Sequence, residues 1–102
     1  MTKKERVTAA IRGEEVDKIP SGFSLHFPKE SAFGDAAVKA HLKFFEESDT
    51  DILKIMNEIL VPYMGEINHG SDYSMVKEMT MEDGFMQDQV ELVKKILVGC
   101  GR

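Results

Sequence analysis

The sequence predicts an α/β fold with a parallel sheet, of which these residues form only the first part. Three observations carry this expectation. Helix-like and strand-like apolar patterns alternate along the chain, and the helical ones run about 10–15 residues, as in βα units. Two strand candidates and three helix candidates cannot cover both faces of a parallel sheet. The last helix is followed by no third strand to receive it.

Each element has its own signal. Thr2 followed by Glu5 is a capping-box signature, Val7, Ala10 and Ile11 form an apolar stripe, and Gly13 supplies the stop, so a helix is expected near 2–12. The polar stretch 14–18 leads to Pro20, which biases Ile19 away from helix. Between Ser21 and Phe27, Phe23, Leu25 and Phe27 alternate with Gly22, Ser24 and His26, which predicts a strand over 21–27 that Pro28 ends. Gly34 and Asp35 open a second helix, near 35–47, with Val38, Leu42 and Phe45 on one face and the polar run 46–50 closing it. The apolar-rich stretch after Asp51 predicts a second strand, over 51–58, buried on both faces. Helix competes there, because so short a run has no decisive period. Residues 63–85 are a long Gly- and Met-containing connection, of the kind that is usually functional or mobile. The final helix, near 86–98, is expected to turn Val90, Val93 and Leu97 inward and to stop at Gly99.

Composition narrows the functional classes. The 102 residues, 42% hydrophobic and 30% charged, are one domain's worth at most, so that 1–102 is expected to be the N-terminal fragment of a single globular domain, with no apolar run of transmembrane length and no secretory leader, hence a cytoplasmic protein. A net charge of −5 disfavours neutralisation of phosphates, so no nucleic acid is expected as a partner, and a small molecule or another protein is. Cys100 has no second cysteine to pair with, and His69 has no ligand-type residue at metal spacing. Neither a metal nor a cofactor is expected. An unfinished sheet leaves edges and apolar faces uncovered, which predicts an oligomer or association with the remainder of the domain.

Parallel α/β folds gather their chemistry at the carboxyl ends of the strands. His26 ends the polar face of the first strand candidate, and Glu58 ends the face that also carries Lys54 and Met56 in the second. An imidazole and a carboxylate at one end of neighbouring strands suit general acid–base work or the holding of a cationic intermediate, so both are candidate catalytic residues. Ser24 and Lys54 would line the same pocket, and Asn57 is a hydrogen-bonding candidate at the strand end. His41, beside Leu42, reads as a surface or packing residue.

The stretch from Lys4 to Pro20, with its Arg12-Gly13-Glu14 element and the turn before Pro20, resembles the start of the uroporphyrinogen decarboxylase family. Asp51 to Leu60 is similar to that family's second strand, D-A-A-I-L-F-S-D-I-L. The resemblance implies the N-terminal part of a TIM (β/α)₈ barrel, about two βα units plus an N-terminal helix, unable to close because a barrel needs at least ~200 residues. It implies a carboxy-lyase that removes carboxyl groups from a porphyrinogen or related substrate in porphyrin and haem biosynthesis without a cofactor, inactive as an isolated stretch. A corrinoid-dependent methyltransferase relative and a non-catalytic remnant or interaction module are the alternatives. Glu58 falls on the family's aspartate, which accepts pyrrole N–H groups and stabilises the ring cation. The family's M-R-Q-A-G-R motif is replaced here by Ser21 through Lys29, without either arginine. His26 lies one position from the first arginine, and Lys29 is the next cation, a further substrate-binding candidate. The resemblance thus implies a tetrapyrrole or other anionic metabolite, recognised differently from a substrate bearing eight carboxylates.

Overall fold

The computed structural model describes residues 1–56 and 62–101. Helix α1 (Lys3–Ile11) starts where the capping box forms. Glu5 N–H donates to Thr2 Oγ1 at 3.1 Å, and Thr2 N–H donates to Glu5 Oε2 at 2.8 Å. Two orphan donors at the helix start are thereby satisfied reciprocally. The helix ends at Arg12, and Gly13 carries the chain away with φ +73°, a conformation that costs a glycine little. A single 3₁₀ turn, Lys29–Ser31, precedes α2 (Gly34–Ser48), which stops at Asp49 in the left-handed region, φ 51°. A second 3₁₀ stretch, Gly70–Met75, interrupts the long connection before α3 (Gly84–Gly99).

The core lies between α2 and α3. Ala37, Leu92 and Ile96 are buried together, with Val38, Leu42, Leu53 and Ile55 packed around them. Gly99 lets the end of α3 come close to α2, because a Cβ at that position would run into the Leu42 side chain. Two apolar ridges compete on α3, and the contact with α2 selects Leu92 and Ile96, spaced four apart. The expected inward stripe of Val90, Val93 and Leu97 is therefore displaced, and Val93 and Leu97 are exposed.

The expected α/β architecture is not what the chain adopts. About 51% of the described residues are helical, about 2% lie in an isolated bridge, and the described residues contain no β-strand and no sheet, hence no βα units of a TIM barrel. Residues 22–27 and 52–56 are extended, but they meet at one isolated parallel bridge, Gly22 with Ile52. A ladder would pay for ordering both segments through repeated backbone bonds and cover on both faces. Here only one face is covered, by Leu53 and Ile55 against the helices, while Phe23 is 62% and Ile52 47% exposed. The ends of the two expected strands differ in status. His26 lies in extended chain, whereas Asn57 and Glu58 lie outside the described residues.

The accessible surface is 7788 Å² and the radius of gyration 17.7 Å. A compact globule of this length has roughly 5,800 Å² and about 13 Å by the usual scaling laws. The surplus surface sits on an elongated molecule of 55 × 29 × 25 Å. No helix among the described residues is long and apolar enough to cross a membrane.

Candidate functional site

The extended segments run side by side in the same direction, and their polar residues meet on the face away from the helices. Lys54 Nζ donates to Ser24 Oγ at 3.0 Å. Lys54 sits between Leu53 and Ile55, which pack on the core, so alternation along extended chain turns it the other way. Gly22, Phe23, Ser24, Ile52 and Lys54 line an open depression of ≈ 320 Å³. Gly22 allows a close approach at its base: a Cβ there would stand 3.0 Å from Ile52 Cβ, and the Ile52 side chain would have to give way.

Of the residues expected in the site, Ser24 and Lys54 are thus brought together. His26 is exposed, two residues beyond Ser24 on the same side by alternation. Its neighbour Phe27 turns toward α2, with its ring 4.6 Å from the His41 ring and 6.4 Å, edge-on, from Phe44. Lys29 is exposed at the start of the 3₁₀ turn. Glu58 and Asn57 fall outside the described residues, so the expected approach of Glu58 to His26 does too.

A buried ionic clamp anchors this face, and the sequence reading passed it over. Arg6, on α1, donates through Nε to Asp17 Oδ1 at 2.7 Å, through Nη2 to Asp17 Oδ2 at 2.9 Å and to the Met1 carbonyl at 3.1 Å, and through Nη1 to Asp51 Oδ1. Asp51 uses its other oxygen to accept from Ser21 N–H at 2.9 Å and stands 3.4 Å from Ser21 Oγ. In return the Ser21 carbonyl accepts from the N–H groups of Asp51, at 2.9 Å, and Ile52, at 3.0 Å. The Asp51 carboxyl is held below its ordinary range chiefly by the Ser21 N–H, and next by Arg6. Asp17 is held well below it by the Arg6 guanidinium, whose own proton is bound more tightly in consequence.

His41 was also missed in this role. Only 1% exposed, it joins α2 to the second extended segment. The Met56 N–H donates to Nε2 at 2.9 Å, so Nε2 is an acceptor, and Nδ1–H donates to the Ala37 carbonyl at 2.7 Å. Both contacts fix one neutral tautomer. The sequence signal was its position four residues after Ala37, on the buried face of α2.

Other hollows also carry charged side chains. One of ≈ 510 Å³ along α1, lined by Thr2, Lys4, Glu5, Thr8, Arg12 and Glu14, belongs to a single helix and its flanks and joins no distant segments. The cleft between the start of α2 and α3, ≈ 340 Å³, is lined by Asp88, Glu91 and Lys95, and Lys95 is bound to Asp35 at 3.0 Å. The described residues contain no cluster of metal-ligating side chains. Comparison with family models, curated proteins and solved structures finds no match to this chain.

Proposed function

We propose that this chain carries part of a carboxy-lyase site of the uroporphyrinogen decarboxylase type, acting on a small anionic molecule such as a tetrapyrrole bearing few carboxylates. The observation that carries the reading is the Lys54–Ser24 pair, assembled from segments 30 residues apart over an open depression. An ammonium oriented by a hydroxyl is a point-charge anchor for one carboxylate, and Phe23 and Ile52 beside it offer apolar surface to a ring. Among the described residues no arginine reaches this face. Arg6 is engaged by Asp17 and Asp51, and Arg12 lines a different hollow, on α1. Bidentate recognition of many carboxylates is therefore lacking, which favours a substrate with fewer of them. In this reading Glu58 stabilises the cation formed when a pyrrole ring is protonated, and His26 assists proton transfer. The role of Glu58 rests on the sequence resemblance, and that of His26 on its exposed position two residues beyond Ser24.

The test is binding of coproporphyrin, a tetracarboxylate, followed by its visible absorption. Saturable binding to the full chain is expected, weakened about tenfold in Lys54→Gln, the scale of one charge-assisted hydrogen bond. Equal affinity in the variant, or no binding to the parent chain, refutes the proposal.

A further inference from the structure

We infer that Asp51, oriented by Arg6, is a positioning residue that sets the register of the two extended segments and so places Ser24 on Lys54. This inference rests on the reading of that pair as a binding site. One backbone bridge, Gly22 with Ile52, cannot by itself hold a register. What fixes it is the contact just before the bridge. Ser21 and Asp51 are locked in both directions, the Asp51 carboxylate accepting the Ser21 N–H and the Ser21 carbonyl accepting the N–H groups of Asp51 and Ile52.

The spacing then does the rest. Ser24 lies three residues after Ser21 and Lys54 three residues after Asp51, and in parallel extended chains equal offsets come out opposite each other. Their bond at 3.0 Å is the consequence. A slip of one residue would set Ser24 against Leu53 or Ile55, whose side chains are committed to the α2–α3 core. The guanidinium is what makes Asp51 a fixed reference. Arg6 is itself held by Asp17 and by the Met1 carbonyl, and only 8% of its side chain and 2% of that of Asp51 are exposed. The start of the chain thereby governs the geometry of a pair that it does not touch.

Amide hydrogen exchange of the full chain tests this residue by residue. In Asp51→Ala the Ile52 amide, bonded to the Ser21 carbonyl, should lose protection about ten- to a hundredfold, as expected for removal of hydrogen bonds to a charged group. The Met56 amide, held by His41, and the amides of α3 should keep theirs, and the nuclear Overhauser contact between Ser24 and Lys54 should weaken in parallel. Asp51→Asn, which has one oxygen for the two donors Ser21 N–H and Arg6 Nη1, should leave Ile52 protection between that of the parent and that of Asp51→Ala. Acceleration of Ile52 and Met56 together in Asp51→Ala would make Asp51 a merely global stabiliser and overturn the inference, as would unchanged Ile52 exchange. Should Asp51→Ala lose its helical signal, Arg6→Lys decides. It keeps the charge but not the fork, and parent-like Ile52 exchange there overturns the inference. Coproporphyrin binding to the parent chain is read separately. Its absence removes the proposed function while leaving the exchange result to decide the positioning role.

Discussion

Truncating Ile96 to alanine probes the packing that holds the chain together. Ile96 is 1% exposed and is the largest apolar side chain sealed between α2 and α3. The change removes three buried carbons, worth roughly 2.4 kcal/mol at about 0.8 kcal/mol per methylene. A residual cavity adds to this, and measured isoleucine truncations cost about 2–5 kcal/mol. Only two helices and the edge residues Leu53 and Ile55 surround the site, so part of the cavity can collapse, and about 3 kcal/mol is expected. Among the described residues the buried apolar side chains are Ala9, Ala37, Leu92 and Ile96, and against the roughly 5–15 kcal/mol typical of domains the loss is a large share of the total. Urea unfolding followed by circular dichroism at the helical band reads it, with a midpoint drop of about 1–3 M expected at the usual slopes. Val98→Ala, on the same helix but 82% exposed, is the control and should stay within about 0.5 kcal/mol of the parent. Equal effects from the two substitutions would refute the assignment of the core to the Leu92–Ile96 face.

Further outcomes follow from single contacts. Gly99→Val should destabilise the α2–α3 contact by about 1–3 kcal/mol, the scale of overpacking, because the new side chain meets Leu42; a raised melting temperature would contradict the close approach. His41→Leu keeps the volume but leaves the Met56 N–H without its acceptor, at a cost of about 1–3 kcal/mol, and should accelerate exchange of that amide above all others. Asp17 and Asp51 have pKa values depressed in the folded chain, so their contribution is complete above the unfolded value of about 3.9 and is lost as pH falls below it toward the folded values. Acid titration should show stability falling below about pH 4, and Asp17→Asn should flatten that fall. Glu58→Gln should lower turnover by at least about tenfold wherever decarboxylation is measured, the scale of losing one charge-stabilising group.

Local signals in the sequence carried the helices. The Thr2–Glu5 capping box, Gly13 after α1 and Gly34 at the start of α2 act over a few residues and operate where the pattern placed them, whereas α3 includes Gly99 as its last residue and the left-handed turn follows at Gly101, φ 75°. The strands were not legible in the same way, because alternation reports a segment's capacity to pair and not the presence of a ladder. Phe23, Leu25 and Phe27 alternate as a strand would, yet only Phe27 finds a packed surface, on His41 and Phe44. On α3 two apolar ridges were equally periodic, and only the tertiary contact with Ala37 chose between them. The clamp was hidden for a different reason. Arg6, Asp17 and Asp51 are ordinary surface-type residues separated by 11 and 34 positions, and nothing local marks charges that meet only after folding. Ser24 and Lys54 could be placed on polar faces from parity alone, but the bond between them required the register.

Isotope-edited NMR that maps coproporphyrin onto the chain probes the face that Ser24 and Lys54 share. The amide signals of Gly22, Ser24 and Lys54 should shift together and saturate at one concentration, with those of the Asp88–Lys95 stretch of α3 unmoved. Shifts centred on α3 or on the connection between Pro62 and Met79, with residues 22–24 and 52–54 silent, would contradict binding at that face.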